Sequence, residues 1–289
     1  EKFMLKVRKL ALAVAGSALA FPALAQTTLT FSAWVPPTHH LSVWQRNWAS
    51  DLEKATAGRI KVQDLPKAPA APPGTFDGVR DGLIDFSYVT ASYTPARHIM
   101  PLMAELPGAG ATAEINSVAF SRVHWKYLQA ANEYKGVKLL GVFTHGPGVI
   151  FNSKKPVTGA AEAATMKWRI GGGNINELTK AMGWNSTLKP ATEAFELLST
   201  GVMDGTLFPD ESIASFKLGM IKHATTFPGG LYNTSFIFLM NQAKYDALSA
   251  QDKAVIDKLS GERAARMFGE GWDRVDAASR EVAQKTQGV

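Results

Sequence analysis

The stretch GLIDFSYV at residues 82–89 decides the fold of this chain, because a helix ends and a strand begins within it. Apolar residues recur at helical spacing before the glycine, and a short apolar run typical of a buried strand follows the aspartate. A glycine that ends a helix and leads directly into a strand marks half of a β/α unit. GVMDGTLF at residues 201–208 repeats the arrangement, and the alternative is a chance match. Two such units far apart in the chain predict two similar lobes that enclose a cleft.

The remaining pattern divides the chain between these lobes. Strands alternate with helices, which favours an α/β fold with mixed, mostly parallel sheets around a central ligand cleft. A break at Gly146–Gly148 marks a crossing between lobes, and the apolar strand at Phe236–Met240 returns the chain to the first lobe. We therefore assign residues 26–147 and 235–260 to lobe I, and residues 148–234 and 261–289 to lobe II.

Residues 1–25 have the pattern of a secretory signal peptide with a short N-terminal extension. Met4–Lys9 is basic, Leu10–Leu19 is apolar and rich in alanine, and Ala23–Ala25 places small residues at the cleavage positions. Glu1–Phe3 form the extension ahead of the first Met. We expect the mature protein to be exported to the periplasm.

Charge and cysteine content exclude several classes of function. Residues 1–25 carry four basic side chains and one acidic side chain, and without them the net charge falls from +6 to about +3. No cluster of Lys and Arg typical of nucleic-acid binding is present, so we expect no nucleic-acid partner. The chain contains no cysteine, which excludes thiolate nucleophiles, Fe–S clusters and cysteine-type zinc sites.

The segment KWRIGGG at residues 167–173 carries the sharpest local signal. Arg169 lies one residue from the end of a predicted strand, and ligands of open α/β sheets bind beyond the carboxyl ends of strands. An arginine there can bind a carboxylate through two parallel hydrogen bonds. The alternative is a surface arginine paired with an acidic side chain. The glycines that follow suit either a phosphate cradle or a simple turn from strand to helix, and the nucleotide-binding spacing is absent.

The histidines do not have the spacing of a metal site. His39 and His40 are adjacent, so we expect their side chains to diverge, and the remaining histidines are scattered. The sequence has no nucleophile elbow of the G-x-S-x-G type. We therefore predict no metal, no cofactor and no enzymatic activity, with an exported hydrolase or isomerase as the alternative reading of the same cleft.

Aromatic residues near predicted strand ends are candidates for the cleft walls. Most aromatic side chains belong to a core, but those at the carboxyl ends of strands are better placed to line a pocket. These residues are Trp34, Tyr88, Tyr93, Trp168, Phe208 and Tyr232.

The order and spacing of eight short segments resemble the periplasmic solute-binding proteins of TRAP transporters, DctP type. The resemblance covers essentially all of the chain after residue 25. The segments are Leu29–Phe31, Lys54–Val62, Asp81–Asp85, Asn152–Val157, Met166–Ile170, Leu198–Gly205, Phe238–Asn241 and Leu248–Ser249.

The resemblance implies a fold like that of periplasmic binding proteins, in which two lobes close over a small organic acid. It implies that Arg169 binds the carboxylate, and that the loop after the first strand and the strand after the first Gly-x-x-Asp line the pocket. We take Trp34, His40, Thr90, Tyr93 and Phe208 as further ligand-binding candidates. It also implies membrane permease subunits of a TRAP transporter as partners, and we expect a monomer. A receptor serving a signalling partner or an ATP-driven transporter has the same features within the chain.

Departures from the family pattern indicate the kind of ligand. Phe208 stands where sialic-acid binders have a polar asparagine, and Val149 stands where they have a basic residue. A loop of proline and alanine at Pro66–Gly74 replaces a more polar one. A poly-hydroxylated sugar acid would leave its hydroxyls unpaired here, at about 1–3 kcal/mol each. We therefore expect a 2-oxo or hydroxy monocarboxylate with an apolar or aromatic remainder.

Overall fold

The computed structural model describes residues 26–286, which form two lobes around one five-stranded sheet each. The predicted signal peptide at residues 1–25 lies outside the described residues. The strands are β1 (Thr27–Phe31), β2 (Ile60–Asp64), β3 (Phe86–Thr90), β4 (Val137–Thr144), β5 (Val149–Asn152), β6 (Lys167–Ile170), β7 (Asn185–Leu188), β8 (Gly205–Phe208), β9 (His223–Thr225) and β10 (Ser235–Asn241).

Helices cover the sheets and connect their strands. The α-helices are α1 (His40–Ala55), α2 (Thr75–Arg80), α3 (Ala113–Val123), α4 (Ala160–Ala164), α5 (Asn174–Ala181), α6 (Ala194–Ser199), α7 (Ser212–Ser215), α8 (Gln242–Asp246), α9 (Ala250–Leu259) and α10 (Glu262–Thr286). A π-helical turn at His124–Leu128 extends α3, and short 3₁₀ turns lie at Pro72–Gly74, Ala91–Tyr93, Met100–Glu105, Gln129–Ala131 and Ala191–Glu193. Within residues 26–286, no helix is both long and apolar enough to cross a membrane.

The strand order confirms a two-lobe α/β fold with mixed sheets. The sheet of lobe I has the order β2-β1-β3-β10-β4, and the sheet of lobe II has the order β7-β6-β8-β5-β9. In each sheet the first three strands pair in parallel and the other two pairings are antiparallel, so the two kinds are equally frequent. The strand β10 inserts between β3 and β4, which brings the chain back into lobe I after lobe II is complete.

The repeated Gly-x-x-Asp motif forms the same kind of turn in both lobes. Gly82 and Gly201 both adopt positive φ, at 79° and 73°, where a residue with a side chain is strained. The Asp85 carboxylate accepts a hydrogen bond from the Thr30 backbone N–H at 2.7 Å, and Asp204 accepts one from that of Lys167 at 2.9 Å. Each aspartate therefore ties the strand it precedes to the neighbouring parallel strand.

The long C-terminal helix α10 is placed differently from the sequence-based domain assignment. We assigned residues 261–289 to lobe II, but α10 packs its apolar face on the sheet of lobe I. Phe268 stacks on Phe143 of β4 at 4.2 Å, and Trp272 lies 5.1 Å from Phe236 of β10. An amphipathic helix packs with its apolar face toward a core, and the apolar face of α10 packs against the aromatic residues of the first sheet.

Only the far part of α10 reaches lobe II. The Asp276 carboxylate accepts a hydrogen bond from the Glu211 backbone N–H at 2.8 Å, and the Arg280 guanidinium pairs with Asp210. The helix thus spans from one lobe to the other and fixes the segment that follows β8.

Candidate functional site

A cavity lies between the lobes and is lined from both sides. Lobe I contributes the segment after β1 and the ends of β3, β4 and β10. Lobe II contributes the ends of β6 and β8 with the segments that follow them. The lining includes Trp34, Val35, His39, Leu41, Thr90, Ser92, Tyr93, His145, Arg169, Gly171, Ala191, Phe208, Glu211, Ser212, Phe216, Tyr232, Thr234, Phe236 and Trp272. The site therefore lies where the carboxyl ends of parallel strands meet.

Arg169 of β6 is the central cation of this cavity. Its side chain is 1% exposed, its Nε donates to the Lys189 carbonyl at 2.9 Å, and its guanidinium lies 4.3 Å from the centre of the Phe208 ring. In the part of the chain that the structure describes, no aspartate or glutamate forms an ion pair with it. The structure thus contradicts the alternative of a surface arginine paired with an acid.

Burial without an acidic partner leaves Arg169 prepared for an anion. Burial lowers the pKa of its guanidinium, because the charged form loses its water. A buried charge without a partner destabilises the folded protein by several kcal/mol. Removing one partner of a buried ion pair, for example, costs roughly 3–5 kcal/mol. A bound carboxylate would supply the missing partner through two parallel hydrogen bonds.

Tyr93 is held beside Arg169 by the other lobe. Its hydroxyl accepts a hydrogen bond from the Ala191 backbone N–H at 2.9 Å, which links the segment after β3 to the segment after β7. Burial raises the pKa of Tyr93, and the nearby guanidinium of Arg169 opposes this. The phenol is therefore neutral and contributes a polar rim to the carboxylate position.

Aromatic side chains form the rest of the cavity wall. Trp34 packs 5.4 Å from Tyr88 and 6.1 Å from Tyr93, while Phe208 stacks on Phe216 at 5.4 Å. The indole nitrogen of Trp34 and the hydroxyl of Thr90 are buried without a hydrogen-bond partner. These walls suit a flat apolar body that carries few polar groups.

Five of the six predicted site residues lie together in this cavity, and the sixth does not. Arg169, Trp34, Thr90, Tyr93 and Phe208 all line it, although their contacts with a ligand stay a prediction.

His40 is the exception, because the chain enters helix α1 at this point. The ring of His40 packs between Trp44 and Trp272, at 4.5 and 4.8 Å, and does not line the ligand cavity. The neighbouring His39 lines the cavity in its place. His39 is the N-cap of α1, and its Nδ1 accepts a hydrogen bond from the Leu41 backbone N–H at 3.2 Å.

Glu211 is a cavity residue that our sequence analysis missed. Its carboxylate accepts hydrogen bonds from the hydroxyls of Ser212 and Ser215, and burial raises its pKa to about 7. Burial and the neighbouring Glu211 also raise the pKa of Asp276 well above its usual range. Glu211 follows β8 by three residues, so the strand-end rule that selected Arg169 would also have found it.

His39, His40 and Glu211 lie close enough to hold a metal ion, which corrects the expectation that the two histidines diverge. Their rings are 4.1 Å apart, and the candidate ligand atoms of the three residues lie within 4.8 Å of one another. Adjacent residues converge here because His39 is outside the helix and His40 is its first residue. Because His39 Nδ1 accepts an N–H, the ring proton is on Nε2, and a protonated nitrogen is not a metal ligand. The chemistry of this donor set therefore fits hydrogen bonding better than metal binding.

The glycine turn at Gly171–Gly173 is a contact between the lobes. A Cβ at Gly173 would lie 2.0 Å from Glu105 Oε2, and a Cβ at Gly172 would lie 2.7 Å from the Ser92 carbonyl oxygen. The Glu105 carboxylate accepts hydrogen bonds from the Asn174 backbone N–H at 3.3 Å and from the Ser235 backbone N–H at 2.9 Å. The N-terminus of α5 thus receives a carboxylate from lobe I, at the position where a phosphate cradle was the alternative.

Comparisons with known proteins point to one family. A family model for DctP, described as bacterial extracellular solute-binding protein, family 7, matches residues 31–289. A TRAP periplasmic solute-binding protein from Bordetella bronchiseptica, solved with (R)- and (S)-mandelate, is 44% identical, with a TM-score of 0.88 over 90% of this chain and 84% of that one.

Two further solved structures are similar over most of the chain. A marine metagenome TRAP solute-binding protein in complex with 3-hydroxybenzoate is 33% identical, with a TM-score of 0.85 over 90% of this chain and 82% of that one. A TRAP solute-binding protein from Rhodoferax ferrireducens, with copurified benzoate, is 26% identical, with a TM-score of 0.84 over 90% of this chain and 82% of that one.

Proposed function

Since this chain belongs to family 7 of the bacterial extracellular solute-binding proteins, we propose that it captures an aromatic monocarboxylate and delivers it to a TRAP-type permease. The family consists of binding proteins that act outside the cytoplasm and take small carboxylates. The aromatic ligand, the permease, the monomeric state and removal of a signal peptide in the periplasm are the specific parts of the proposal.

The observation that carries the proposal is the buried guanidinium of Arg169, which forms no ion pair with an aspartate or glutamate among residues 26–286. Such a group is costly in the folded protein until an anion binds it. The planar fork of arginine suits a carboxylate better than a single ammonium would.

The cavity walls favour an aromatic body over a sugar acid. Aromatic rings, among them those of Trp34, Phe208 and Phe236, form much of the cavity wall. A sugar acid would leave several hydroxyls without partners, at about 1–3 kcal/mol each. The three solved relatives described above hold mandelate, 3-hydroxybenzoate and benzoate.

Transport by such a protein requires the ligand to stabilise a closed form. A ligand shifts a conformational equilibrium only by its difference in affinity for the two states. Arg169 belongs to lobe II, whereas Trp34 and Thr90 belong to lobe I, so a ligand in this cavity contacts both lobes. The binding energy is therefore available to hold the lobes together.

Calorimetric titration of the ligand-free protein tests the proposal. Ligand is first removed by unfolding and refolding, and the protein is then titrated with benzoate, mandelate, 3-hydroxybenzoate and glucuronate. We expect dissociation constants for the best aromatic acid at least about a hundredfold below that for glucuronate, a difference of about 2.7 kcal/mol. Tighter binding of glucuronate would contradict the aromatic assignment. Mass spectrometry after incubation separates the enzyme alternative, because a binding protein returns each acid unchanged.

A further inference from the structure

A second polar anchor lies in the ligand cavity, two aromatic rings away from Arg169. The guanidinium lies 4.3 Å from the Phe208 ring, Phe208 stacks on Phe216 at 5.4 Å, and Phe216 lies 5.7 Å from the His39 ring. Both Arg169 and His39 line the cavity. The guanidinium and the imidazole are therefore linked by a continuous aromatic wall, with two rings between them.

The proton of His39 is fixed in place by the helix that it caps. Its Nδ1 accepts the Leu41 backbone N–H at 3.2 Å, so a neutral ring must carry its proton on Nε2. Burial lowers the pKa of His39 to about 3, which keeps the ring neutral. The Nε2 atom is buried and has no hydrogen-bond partner, so an N–H donor is left unsatisfied.

Glu211 provides the matching acceptor. Its Oε2 lies 3.8 Å from His39 Nε2, which is too far for a direct hydrogen bond but leaves room for an oxygen atom that bonds to both. The two serine hydroxyls that donate to Glu211 leave part of its acceptor capacity free. The other charged and titratable groups around Glu211 include His40 at 3.5 Å, Asp276, Tyr88 and the Asp210–Arg280 pair.

We propose that His39 and Glu211 together bind a hydroxyl group on the aromatic ring of the ligand. The His39 Nε2–H donates to the hydroxyl oxygen, and the hydroxyl proton is donated to the Glu211 carboxylate. This inference rests on the proposed function and narrows its substrate class to aromatic monocarboxylates that carry a ring hydroxyl.

The separation of the two anchors selects a ring hydroxyl over an α-hydroxyl. An α-hydroxyl is one carbon away from the carboxylate and stays beside Arg169 when the carboxylate is bound there. A hydroxyl at position 3 or 4 of the ring extends along the Phe208–Phe216 wall toward His39. A site built to bond a hydroxyl rejects the analogue that lacks it, because its own polar groups are then left unpaired.

The test compares dissociation constants of benzoate, 3-hydroxybenzoate and 4-hydroxybenzoate by titration calorimetry. The readout is the ratio of the benzoate constant to that of the better hydroxylated acid, in which any general weakening of the site cancels. We expect a ratio of about 10 to 100 for the unaltered protein. His39→Asn keeps a capping oxygen for α1, and its shorter side chain ends before the position of Nε2, so its amide does not reach the ligand hydroxyl. We expect its ratio to fall to about 1–3.

Two further variants keep the test decisive. Glu211→Gln should also reduce the ratio, while His124→Asn, which alters a buried histidine outside the cavity, should retain it. An unchanged ratio in both His39→Asn and Glu211→Gln would overturn the hydroxyl anchor and leave the aromatic-carboxylate proposal intact. Failure of the unaltered protein to bind any of the three acids would overturn the proposed function itself.

Discussion

Lobe I and lobe II use the same turn to position their strands, yet they bring different chemistry to the cleft. Asp85 in lobe I and Asp204 in lobe II each accept a backbone N–H from the adjacent parallel strand, Thr30 and Lys167 respectively. The repeated phrase is therefore a structural device, and it does not by itself mark the ligand site.

The difference lies in the residues that follow the strands. Lobe II places Arg169 and Glu211 at the cavity, whereas lobe I places Trp34, Thr90 and Tyr93 there. Lobe II thus supplies Arg169, Glu211 and the Phe208–Phe216 wall, whereas lobe I supplies further aromatic walls and neutral polar groups. Neither surface is a complete site, so selectivity arises only when the lobes come together.

Removing the charge of lobe II should have the largest effect. We expect Arg169→Met to weaken binding of the preferred aromatic acid by at least about a hundredfold, because charge-assisted bonds in buried sites contribute about 2–5 kcal/mol. The same variant should melt at an equal or higher temperature without ligand, since an unpaired buried charge is removed. Calorimetry and thermal melting measure the two quantities.

Arg122→Met is the matched control for this variant, because Arg122 pairs with Glu262 on the exposed surface. Its ligand affinity should be unchanged. Micromolar binding retained by Arg169→Met would show that the charge of lobe II is not required for ligand binding.

Glu211, the acidic residue that lobe II places at the cavity, should make the stability of the protein depend on pH. Burial raises the pKa of Glu211 from 4.5 to about 7, so between these values the folded state holds a proton that the unfolded state releases. Stability then falls as the pH rises through this window and the full cost is present above pH 7. We expect Glu211→Gln to gain on the order of 2–3 kcal/mol relative to the unaltered protein between pH 5 and pH 8.

Urea unfolding of both proteins across this pH range measures that difference. Buried His39 and His145, whose pKa values are lowered by burial, change stability with pH in the opposite direction. They are present in both proteins, so their contributions cancel in the difference, whereas Asp276, whose pKa Glu211 raises, adds to the difference in the same direction as Glu211. A difference that does not change with pH would show that Glu211 is ionised throughout.

Adding one methyl group where the lobes touch should weaken ligand binding. Gly173 and Gly201 share a φ of 73°, but a Cβ at Gly173 meets Glu105 of the other lobe, while a Cβ at Gly201 meets nothing within 4 Å. Alanine at Gly201 should cost about 1–2 kcal/mol of stability through backbone strain. Alanine at Gly173 should cost more, because its ψ of −149° lies in a region that essentially only glycine adopts. Only Gly173→Ala should also weaken ligand binding, by about tenfold, because its lobes cannot close fully.

Measuring both the free energy of unfolding and the ligand affinity of the two alanine variants separates backbone strain from incomplete closure of the lobes. Equal losses of ligand affinity in Gly173→Ala and Gly201→Ala would indicate that the glycine turn does not report on contact between the lobes.

The two repeated aspartates should differ modestly. Asp85 is almost fully buried and also accepts a bond from the Thr30 hydroxyl, whereas the Asp204 side chain is 21% exposed. Removing a buried acceptor leaves its donors unsatisfied, at about 1–3 kcal/mol. We expect Asp85→Ala to lose about 1 kcal/mol more than Asp204→Ala in urea unfolding. Equal losses would show that exposure does not distinguish the two turns.

The spacing of apolar residues predicted the two-lobe fold, because the buried faces of helices and strands are made of apolar side chains at regular intervals. The position of Arg169 at a strand end followed from the same pattern, and its burial in the cleft agrees with it. Short and polar elements such as β7 and β9 carry no apolar signal, and they were not predicted.

Contacts between distant segments were harder to predict. Helix α10 has one apolar face, but its sequence does not say which sheet that face covers, and residues 261–289 were assigned to the wrong lobe. The choice between His39 and His40 depended on where α1 begins, and a shift of one residue turns a side chain by about a quarter of a turn or more. Glu105 reaches Asn174 only through the tertiary fold, which no local pattern encodes.

A co-crystal structure with 3-bromobenzoate tests the central claim most directly, because anomalous scattering from bromine fixes the orientation of the acid. The account predicts both carboxylate oxygens at about 2.7–2.9 Å from Arg169 nitrogen atoms, with the bromine along the Phe208–Phe216 wall and away from the guanidinium. A bromine peak beside Arg169, or an acid bound outside the cavity, would contradict it.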